Sequence, residues 1–231
     1  MKTNFLVNSL ALTKDKHWTQ TLWDWADENN VPDLEWVEHD SYVKGGYFRG
    51  LPRDKDALVN LERLNLLGAQ ISTLPPEIGN LVQLKKLYLL GNQLLELPKE
   101  IAKLTHLEEL YLAGNKLSEL PKEIGALTSL KLLLVQENQL TTLPKEIGNL
   151  VNLEVLELGK NQLSSLPKEI AKLTNLHKLT LWRNKLTTLP EEIVGLVNLT
   201  EFDCMYNQIG LTQGITQWLE VLMAKERSVN I

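Results

Sequence analysis

A repeat of 23 residues governs most of this sequence. The dipeptide Leu-Pro recurs at that interval, without insertion, at Leu74-Pro75, Leu97-Pro98, Leu120-Pro121, Leu143-Pro144, Leu166-Pro167 and Leu189-Pro190. Six complete units follow one another over residues 58–80, 81–103, 104–126, 127–149, 150–172 and 173–195. A seventh unit begins at Leu196 and loses the pattern after Ile209. A fixed period of this length is typical of a chain built as a stack of similar structural units.

The third unit shows how each repeat is expected to fold. We number the motif from Leu107, so that Leu110 and Leu112 occupy positions four and six and flank Tyr111. Alternation with period two predicts a short strand that buries one face. Residues Leu120–Ile124 are expected to return along the opposite side. Their proline suits the first position of a short helical turn, and their glutamate lies where the helix dipole favours an anion.

A single unit cannot bury its own leucines, whereas stacked units can, with their strands forming one parallel sheet. Position nine is polar among these leucines. Its residues are Asn92, Asn115, Asn138, Asn161, Asn184 and Asn207, and Ala69 replaces the asparagine in the first unit. Because buried backbone groups need hydrogen-bond partners, we expect each side-chain amide to supply them within its own and the neighbouring unit. We interpret this ladder as structural rather than functional.

The motif Leu-x-x-Leu-x-Leu-x-x-Asn-x-Leu-x-x-Leu-Pro-x-Glu-Ile, from residue 58 to about residue 209, resembles the leucine-rich-repeat family. Its length is similar to the 23-residue subclass of Ras-suppressor-like and scribble-like proteins, plant intracellular Ras-group repeats and many short bacterial repeat proteins. The resemblance implies an α/β repeat fold, a right-handed solenoid with a parallel concave sheet and with convex loops and short helical turns. It also implies protein–protein recognition, without naming a partner.

Caps are expected at both ends of the array, since bare ends would expose leucines and strand edges. Trp18, Leu22 and Trp25 are spaced as on one face of a helix within residues 14–30, which predicts an amphipathic cap helix. A tryptophan-lined binding site is the alternative. The repeat register extends back to Leu51-Pro52, which predicts a degenerate unit with a strand near Tyr42–Lys44 and with Phe48 at position eleven.

At the other end, Ile215, Trp218, Leu219 and Leu222 follow helical spacing from about Thr212. This pattern predicts a C-terminal cap helix. A docking or membrane-surface helix is the alternative, but the segment lacks a broad basic face. We therefore divide one continuous domain into an N-terminal cap over residues 1–57, a solenoid over 58–211 and a C-terminal cap over 212–231.

Charge and cysteine content exclude several classes of function. The formal net charge of −5 at pH 7 argues against a nucleic-acid binder, which normally shows a basic face. The single cysteine, Cys204, cannot form an intramolecular disulfide and falls at a buried position, so we expect a core residue rather than a nucleophile. No apolar run is long enough for membrane insertion. A cytoplasmic monomer is expected, with export by an unrecognised signal left open.

Motifs for catalysis are missing from the sequence. It contains no Walker-type glycine loop, Gly-x-Ser-x-Gly elbow, Cys-x-x-Cys or His-Glu-x-x-His, and no pair of its histidines has the spacing of metal ligands. We therefore expect no catalytic residue, cofactor or metal, and enzymatic activity is a remote alternative.

Positions three, five and seven should point from the strands into the concave face, with position eight at its margin. Strand spacing of about 4.8 Å predicts one contiguous exposed apolar patch. It comprises Leu67, Tyr88, Leu90, Tyr111, Leu132, Leu134 and Val155. A second patch comprises Trp182, Met205 and Tyr206. Exposed aromatic clusters often mark interaction sites, so we predict that both patches bind a partner protein. Cross-strand stacking that only stabilises the sheet is the alternative.

A rival site lies in the N-terminal cap, where no lysine or arginine occurs from His17 to Val43. The acidic residues of this window are Asp24, Asp27, Glu28, Asp33, Glu35, Glu38 and Asp40. Such a run is usually a solvated face, although it can also steer a basic partner. The leading hypothesis is an intracellular scaffold or adaptor, and the second is an exported bacterial protein that engages a host partner through the same concave surface.

Overall fold

The computed structural model describes residues 18–37, 47–224 and 228–231. Its N-terminal part contains helix α1, which is described over residues 18–28, and strands β1 (Glu35–Val37) and β2 (Tyr47–Arg49). The two strands pair antiparallel, with Glu35 opposite Arg49 and Val37 opposite Tyr47. Helix α2 (Lys55–Val59) follows, and the side chain of Asp54 caps its first turn by accepting a hydrogen bond from the backbone N–H of Ala57 at 2.8 Å.

The repeats contribute one short strand each to a single parallel sheet. These strands are β3 (Arg63–Asn65), β4 (Lys86–Tyr88), β5 (Glu109–Tyr111), β6 (Leu132–Leu134), β7 (Val155–Glu157), β8 (Lys178–Thr180) and β9 (Glu201–Asp203). Neighbouring strands pair without register slip, so residues 23 apart lie side by side. Position four forms a fully buried column that runs from Leu64 to Phe202. The predicted leucine-rich-repeat solenoid is therefore confirmed.

Short 3-10 turns return the chain on the opposite side of each repeat. They span Pro76–Asn80, Lys99–Lys103, Lys122–Ala126, Lys145–Asn149, Lys168–Lys172 and Glu191–Gly195. The predicted helical turns and their first-turn glutamates are confirmed, but the place of the proline is corrected. Pro98, for example, precedes its turn as an extended N-cap residue with φ −66° and ψ 143°. The ring restricts φ to a value that suits this extended conformation as well as a helix.

The predicted asparagine ladder is confirmed in the hydrogen bonds of position nine. In the fourth unit, the Asn138 Oδ1 atom accepts from the backbone N–H of Leu117 at 3.0 Å. Its Nδ2 atom donates to the carbonyl oxygens of Leu112 at 3.0 Å and Val135 at 3.1 Å. Asn92, Asn115, Asn161, Asn184 and Asn207 repeat the pattern. Each amide therefore joins two successive units.

The N-terminal elements extend the hydrophobic core of the repeats. Leu22 and Trp25 of α1 are buried in the same cluster as the repeat leucines, and Trp23 donates its indole N–H to the carbonyl of Pro52 at 2.9 Å. The expected strand at Tyr42–Lys44 lies outside the described residues. Phe48 does not take the expected core position and is 55% exposed. It lies in β2, where antiparallel pairing with β1 replaces the inward turn of a repeat.

The C-terminal helix is present as α3 (Gln213–Ala224) and buries Ile215, Trp218, Leu219 and Leu222 as expected. The Trp218 indole meets the ring of Phe202 edge-on, with centroids 5.3 Å apart. A strand not anticipated from the sequence follows: β10 (Ser228–Asn230) pairs parallel with β9. The last repeat is thus covered by the helix on its core and by β10 along its strand edge.

Candidate functional site

A stacked pair of tyrosines lies on the second and third strands of the sheet, counted from β3. Tyr88 and Tyr111 occupy position five of adjacent units and face each other across β4 and β5. Their rings are nearly parallel, at an interplanar angle of 15° with centroids 4.4 Å apart. Since position four points into the core, position five points outward. The pair therefore presents aromatic surface on the face of the sheet that is opposite the core.

The other residues predicted for the first patch surround this pair. Leu134 lies opposite Tyr111, and Leu132 lies opposite Val155. The pairing continues just beyond the strands, where the backbone N–H of Gly68 donates to the carbonyl oxygen of Leu90 at 2.9 Å. This bond holds Leu67 and Leu90, the position-seven residues of the first two units, side by side. The structure thus brings together the seven residues Leu67, Tyr88, Leu90, Tyr111, Leu132, Leu134 and Val155, which we call the tyrosine–leucine patch.

The side chains of this patch are half-buried, whereas an exposed patch was predicted. Strand spacing of about 4.8 Å brings outward side chains of adjacent units into contact, so each covers part of its neighbours. Asn65 occupies position five of the first unit, as Tyr88 and Tyr111 do in the next two, but it is only 6% exposed. The segment after β2 covers it, where the backbone N–H of Gly50 donates to Asn65 at 3.0 Å.

A polar network holds the tyrosine pair from one side. Glu109 accepts hydrogen bonds from the ammonium of Lys86 and, at 2.6 Å, from the hydroxyl of Tyr111. Burial by itself disfavours the Glu109 carboxylate, but the hydrogen bonds from Lys86 and Tyr111 outweigh it and lower the pKa of Glu109. Burial, together with the hydrogen bond to Glu109, raises the pKa of Tyr111. The Tyr111 hydroxyl is therefore a fixed donor, and the orientation of its ring is restricted.

A charged band crosses the sheet beyond the tyrosine–leucine patch. Lys178 of β8 pairs with Glu157 of β7 at 2.9 Å and with Glu201 of β9 at 3.3 Å, and Asp203 lies on the same face. The hydrogen bond to Glu157 raises the pKa of Lys178 despite partial burial. Lys178 thus pairs with two carboxylates, and with Asp203 on the same face the band is acidic.

The three residues of the second predicted patch lie together at the margin of the sheet. The Trp182 indole packs on the backbone of Gly159, where an added Cβ would lie only 2.1 Å from the indole Nε1. Met205 is 37% exposed and Tyr206 is 67% exposed. Two cations accompany these side chains, and of these Arg183 was not anticipated from the sequence. Lys160 Nζ lies 5.2 Å from the Trp182 ring centroid, and Arg183 Cζ lies 5.7 Å from it and 5.5 Å from that of Tyr206.

We call Lys160, Trp182, Arg183, Met205 and Tyr206 the edge cluster. Three of its members occupy position eight, which adopts a left-handed backbone in all seven units. The first three units have glycine there, Gly68, Gly91 and Gly114. The next four have Glu137, Lys160, Arg183 and Tyr206, with φ of 58°, 51°, 52° and 59°. The change from glycine to larger residues at a fixed position was the sequence signal that could have revealed this cluster.

The rival acidic surface is partly neutralised in the structure. Arg53 pairs with Asp27 and with Asp33, each at 2.7 Å, and Arg49 pairs with Glu35 at 2.6 Å. Glu38 and Asp40 lie outside the described residues. These arginines follow the acidic window in the sequence and fold back onto it, so the window is less acidic in space than it is along the chain.

The described part of the chain, residues 18–37, 47–224 and 228–231, has no cluster of three or more His, Cys, Asp or Glu side chains arranged to hold a metal ion. Across the same residues, no helix has the length and apolar character needed to cross a membrane. Cys204 is buried, and burial raises the pKa of its thiol to about 12. A thiol in this environment remains protonated at neutral pH.

Two family models match the sequence. One is described as a leucine-rich repeat region and matches residues 76–162, and the other is described as a leucine rich repeat and matches residues 151–209. A comparison with curated protein sequences finds no match. The two matched ranges overlap and together cover the repeats from the first 3-10 turn to the end of the seventh unit.

Solved structures with the same fold come from plants and bacteria. The leucine-rich-repeat ectodomain of the membrane receptor kinase GASSHO1/SCHENGEN3 from Arabidopsis thaliana, in complex with CASPARIAN STRIP INTEGRITY FACTOR 2, is 30% identical over 68% of this chain and 20% of its own, with a TM-score of 0.62. An internalin from Listeria monocytogenes is 25% identical over 78% of this chain and 51% of its own, with a TM-score of 0.61. The plant peptide hormone receptor RGFR1, in complex with RGF2, is 33% identical over 64% of this chain and 25% of its own, with a TM-score of 0.57. The chain thus spans between about a fifth and a half of the length of these proteins.

Proposed function

Because the chain belongs to the leucine-rich-repeat proteins, we propose that it binds a segment of another protein on the concave face of its sheet. In this role it acts as a scaffold or adaptor and carries no enzymatic activity of its own. The fold is commonly a protein–protein interaction module, since stacked repeats create an extended concave surface. The choice of this face rests on the side chains that the strands present there.

The stacked tyrosines are the observation that carries the proposal. Tyr88, Tyr111 and Leu134 stand in one row on three adjacent strands and point away from the core. Rigid aromatic side chains lose little conformational entropy on binding, and aromatic anchors at the centre of an interface often carry 2 kcal/mol or more of binding energy. Leu132 and Val155, at position three of adjacent units, flank the row on one side. A partner that covers this row would bury the half of each side chain that its neighbours leave open.

Two of the similar structures support the choice of a protein partner. The Arabidopsis receptor ectodomain is in complex with CASPARIAN STRIP INTEGRITY FACTOR 2, and the peptide hormone receptor RGFR1 is in complex with RGF2. Both structures are at or above 30% identity to this chain. They support binding of a polypeptide by the present repeats.

A double substitution in the row tests the proposal. Tyr111→Ala with Leu134→Ala should abolish capture of a partner that the intact wild-type chain retains in a pull-down. The same variant should melt within a few degrees of the wild type, because its side chains lie outside the leucine core. Lys122→Ala, on an exposed 3-10 turn, is the matched control and should change neither property. If the double variant binds an identified partner with unchanged affinity, the tyrosine–leucine patch only stabilises the sheet by stacking and is not the binding site.

A second candidate is an exported bacterial protein that uses the same face. The similarity to a Listeria monocytogenes internalin, over 78% of this chain, is the observation that favours it. The two candidates differ in compartment, and the cytoplasmic location expected from the single cysteine stays a prediction. Immunodetection of the chain in the culture medium of its source organism, with a cytoplasmic protein as the lysis control, distinguishes them.

A further inference from the structure

We infer that the edge cluster is a second binding subsite and that it takes the carboxylate of an acidic segment from a partner protein. The inference rests on the proposed function only in requiring a protein partner. Arg183 and Trp182 belong to the sixth unit, whereas the tyrosine pair belongs to the second and third units. The two sites therefore lie strands apart and can be tested separately.

The guanidinium of Arg183 packs against aromatic rings and is not paired with a carboxylate among the described residues. Its guanidinium carbon lies 5.7 Å from the Trp182 centroid and 5.5 Å from the Tyr206 centroid. Among the described residues, no carboxylate forms an ion pair with Arg183, whereas the neighbouring Lys160 is paired with Glu137 at 2.7 Å. A planar guanidinium that packs on rings keeps its N–H donors directed outward, and these donors match the two oxygens of a carboxylate.

The backbone at this position indicates that the side chains matter. Arg183 and Tyr206 have φ of 52° and 59°, a conformation that glycine adopts without strain and that the first three units fill with glycine. Larger residues in this conformation are strained, and such strain tends to persist where a side chain has a role. Gly159 contributes as well, since only a residue without a Cβ lets the Trp182 indole lie where it meets Arg183.

The surrounding charges select the ligand. Glu157, Glu201 and Asp203 make the adjacent band acidic, although Lys178 pairs with the first two. A singly charged carboxylate matches the guanidinium of Arg183, whereas a doubly charged phosphate or a nucleic acid would be repelled by the band. Met205 and Tyr206 offer exposed apolar surface beside Arg183. The occupant is therefore an Asp or Glu side chain next to an apolar residue.

Selection from a displayed library of short random peptides tests this assignment. Panning on the intact wild-type chain should enrich peptides in Asp and Glu relative to the input library. Panning on Arg183→Gln should remove that enrichment, and a peptide selected on wild type should bind this variant about tenfold more weakly or worse. Gly159→Ala should act in the same direction because the added Cβ displaces the Trp182 indole. Lys185→Gln, which removes an exposed cation of the same unit, is the matched control and should keep the enrichment.

The outcomes separate this inference from the proposed function. The edge cluster is supported if Arg183→Gln abolishes the acidic enrichment and the Tyr111→Ala, Leu134→Ala variant retains it. This result holds even if the tyrosine–leucine patch fails its own test. Apolar peptides that depend only on Tyr111 and Leu134 support the proposed function and overturn the edge cluster as a site. Wild-type panning without acidic enrichment, or enrichment that survives Arg183→Gln at an unchanged melting temperature, also overturns the inference.

Discussion

At the scale of single residues, the position-nine amide shows how one polar group can be required inside an apolar core. Asn138 is 8% exposed, and its side chain hydrogen-bonds to backbone atoms of two units. No aliphatic side chain supplies both a donor and an acceptor in that place. A buried backbone group that loses its partner carries the full cost of its desolvation. Removal of the amide therefore lowers the stability by more than the net contribution of the hydrogen bonds that are lost.

Replacement of this amide should therefore destabilise the protein. Asn138→Ala leaves the Leu117 N–H without its side-chain partner and removes one of the two amide hydrogen bonds to the Leu112 carbonyl, the other coming from Asn115. We expect a loss of about 1–3 kcal/mol in the free energy of unfolding. Gln139→Ala, at the exposed neighbouring position, should be nearly silent. Urea denaturation of both variants measures the difference. Equal transition midpoints would show that the ladder does not contribute to stability.

The buried thiol allows a second prediction at this scale. Burial raises the pKa of Cys204 to about 12, so at pH 8 the folded protein should not react with Ellman's reagent, whereas the denatured chain should react fully. As the pH rises above the pKa of an unfolded thiol, about 8.5, the unfolded state loses its proton first. Stability should then fall with increasing pH, and Cys204→Ala should lack this thiol contribution. Rapid labelling of the native protein at pH 8 would contradict the buried environment.

At the scale of the structural element, each repeat ends its strand in a turn that needs a left-handed residue at position eight. Three units have glycine at this position, and the other four have larger residues, whose left-handed backbone is strained. Strain of this kind costs roughly 1–2 kcal/mol for a non-glycine residue, partly offset because a side chain reduces the entropy of the unfolded chain. The turn is thus formed in every unit, but at different energetic cost.

Substitutions in opposite directions should have opposite effects on this turn. Gly114→Ala should destabilise the protein by roughly 1 kcal/mol, although the added Cβ would meet nothing closer than Gly91 at 3.6 Å. Glu137→Gly should stabilise it by up to about 1 kcal/mol, since the exposed Glu137–Lys160 pair contributes little. Calorimetric melting of the two variants provides the comparison. Shifts of the same sign in both variants would contradict the strain.

At the scale of the whole molecule, stability depends on closing the ends of a linear core. Helix α3 buries Ile215, Trp218, Leu219 and Leu222 against the last repeat. A buried side chain of this size contributes about 1.5–3 kcal/mol, so the four together are comparable with the entire stability of a typical domain, about 5–15 kcal/mol. The cap thus protects the solenoid from unfolding at its end.

Truncation after Gln208 should accordingly cause aggregation or a much lower melting temperature, because Phe202 and the last repeat leucines lose their cover. Val221→Ser on the exposed side of α3 should leave both properties unchanged. Size-exclusion chromatography and thermal melting monitor the two variants. A truncated chain that stays monomeric with the wild-type melting temperature would show that α3 is an appended module. The division into caps and solenoid at residues 57 and 211 likewise stays a prediction.

The sequence by itself determined the repeated elements. Leucines at positions four and six, with asparagine at position nine, predicted the parallel strands, the core columns and the hydrogen-bonded ladder, because a constant period places equivalent residues side by side. The same arithmetic predicted which residues share the tyrosine–leucine patch. Helical spacing of Ile215, Trp218, Leu219 and Leu222 predicted α3 equally well.

Only the tertiary structure decided the parts that do not repeat. Strand β10 lies outside the period, and it forms where the chain after α3 meets the open edge of β9. The pairing of β1 with β2 and the burial of Asn65 depend on contacts between distant segments. Trp182, Met205 and Tyr206 were predicted together from the period, but the packing of the Trp182 indole on Gly159 of the preceding unit and the place of Arg183 between two rings depend on the tertiary structure. Periodicity predicts which residues are neighbours, but side-chain directions and chain ends are set by packing in three dimensions.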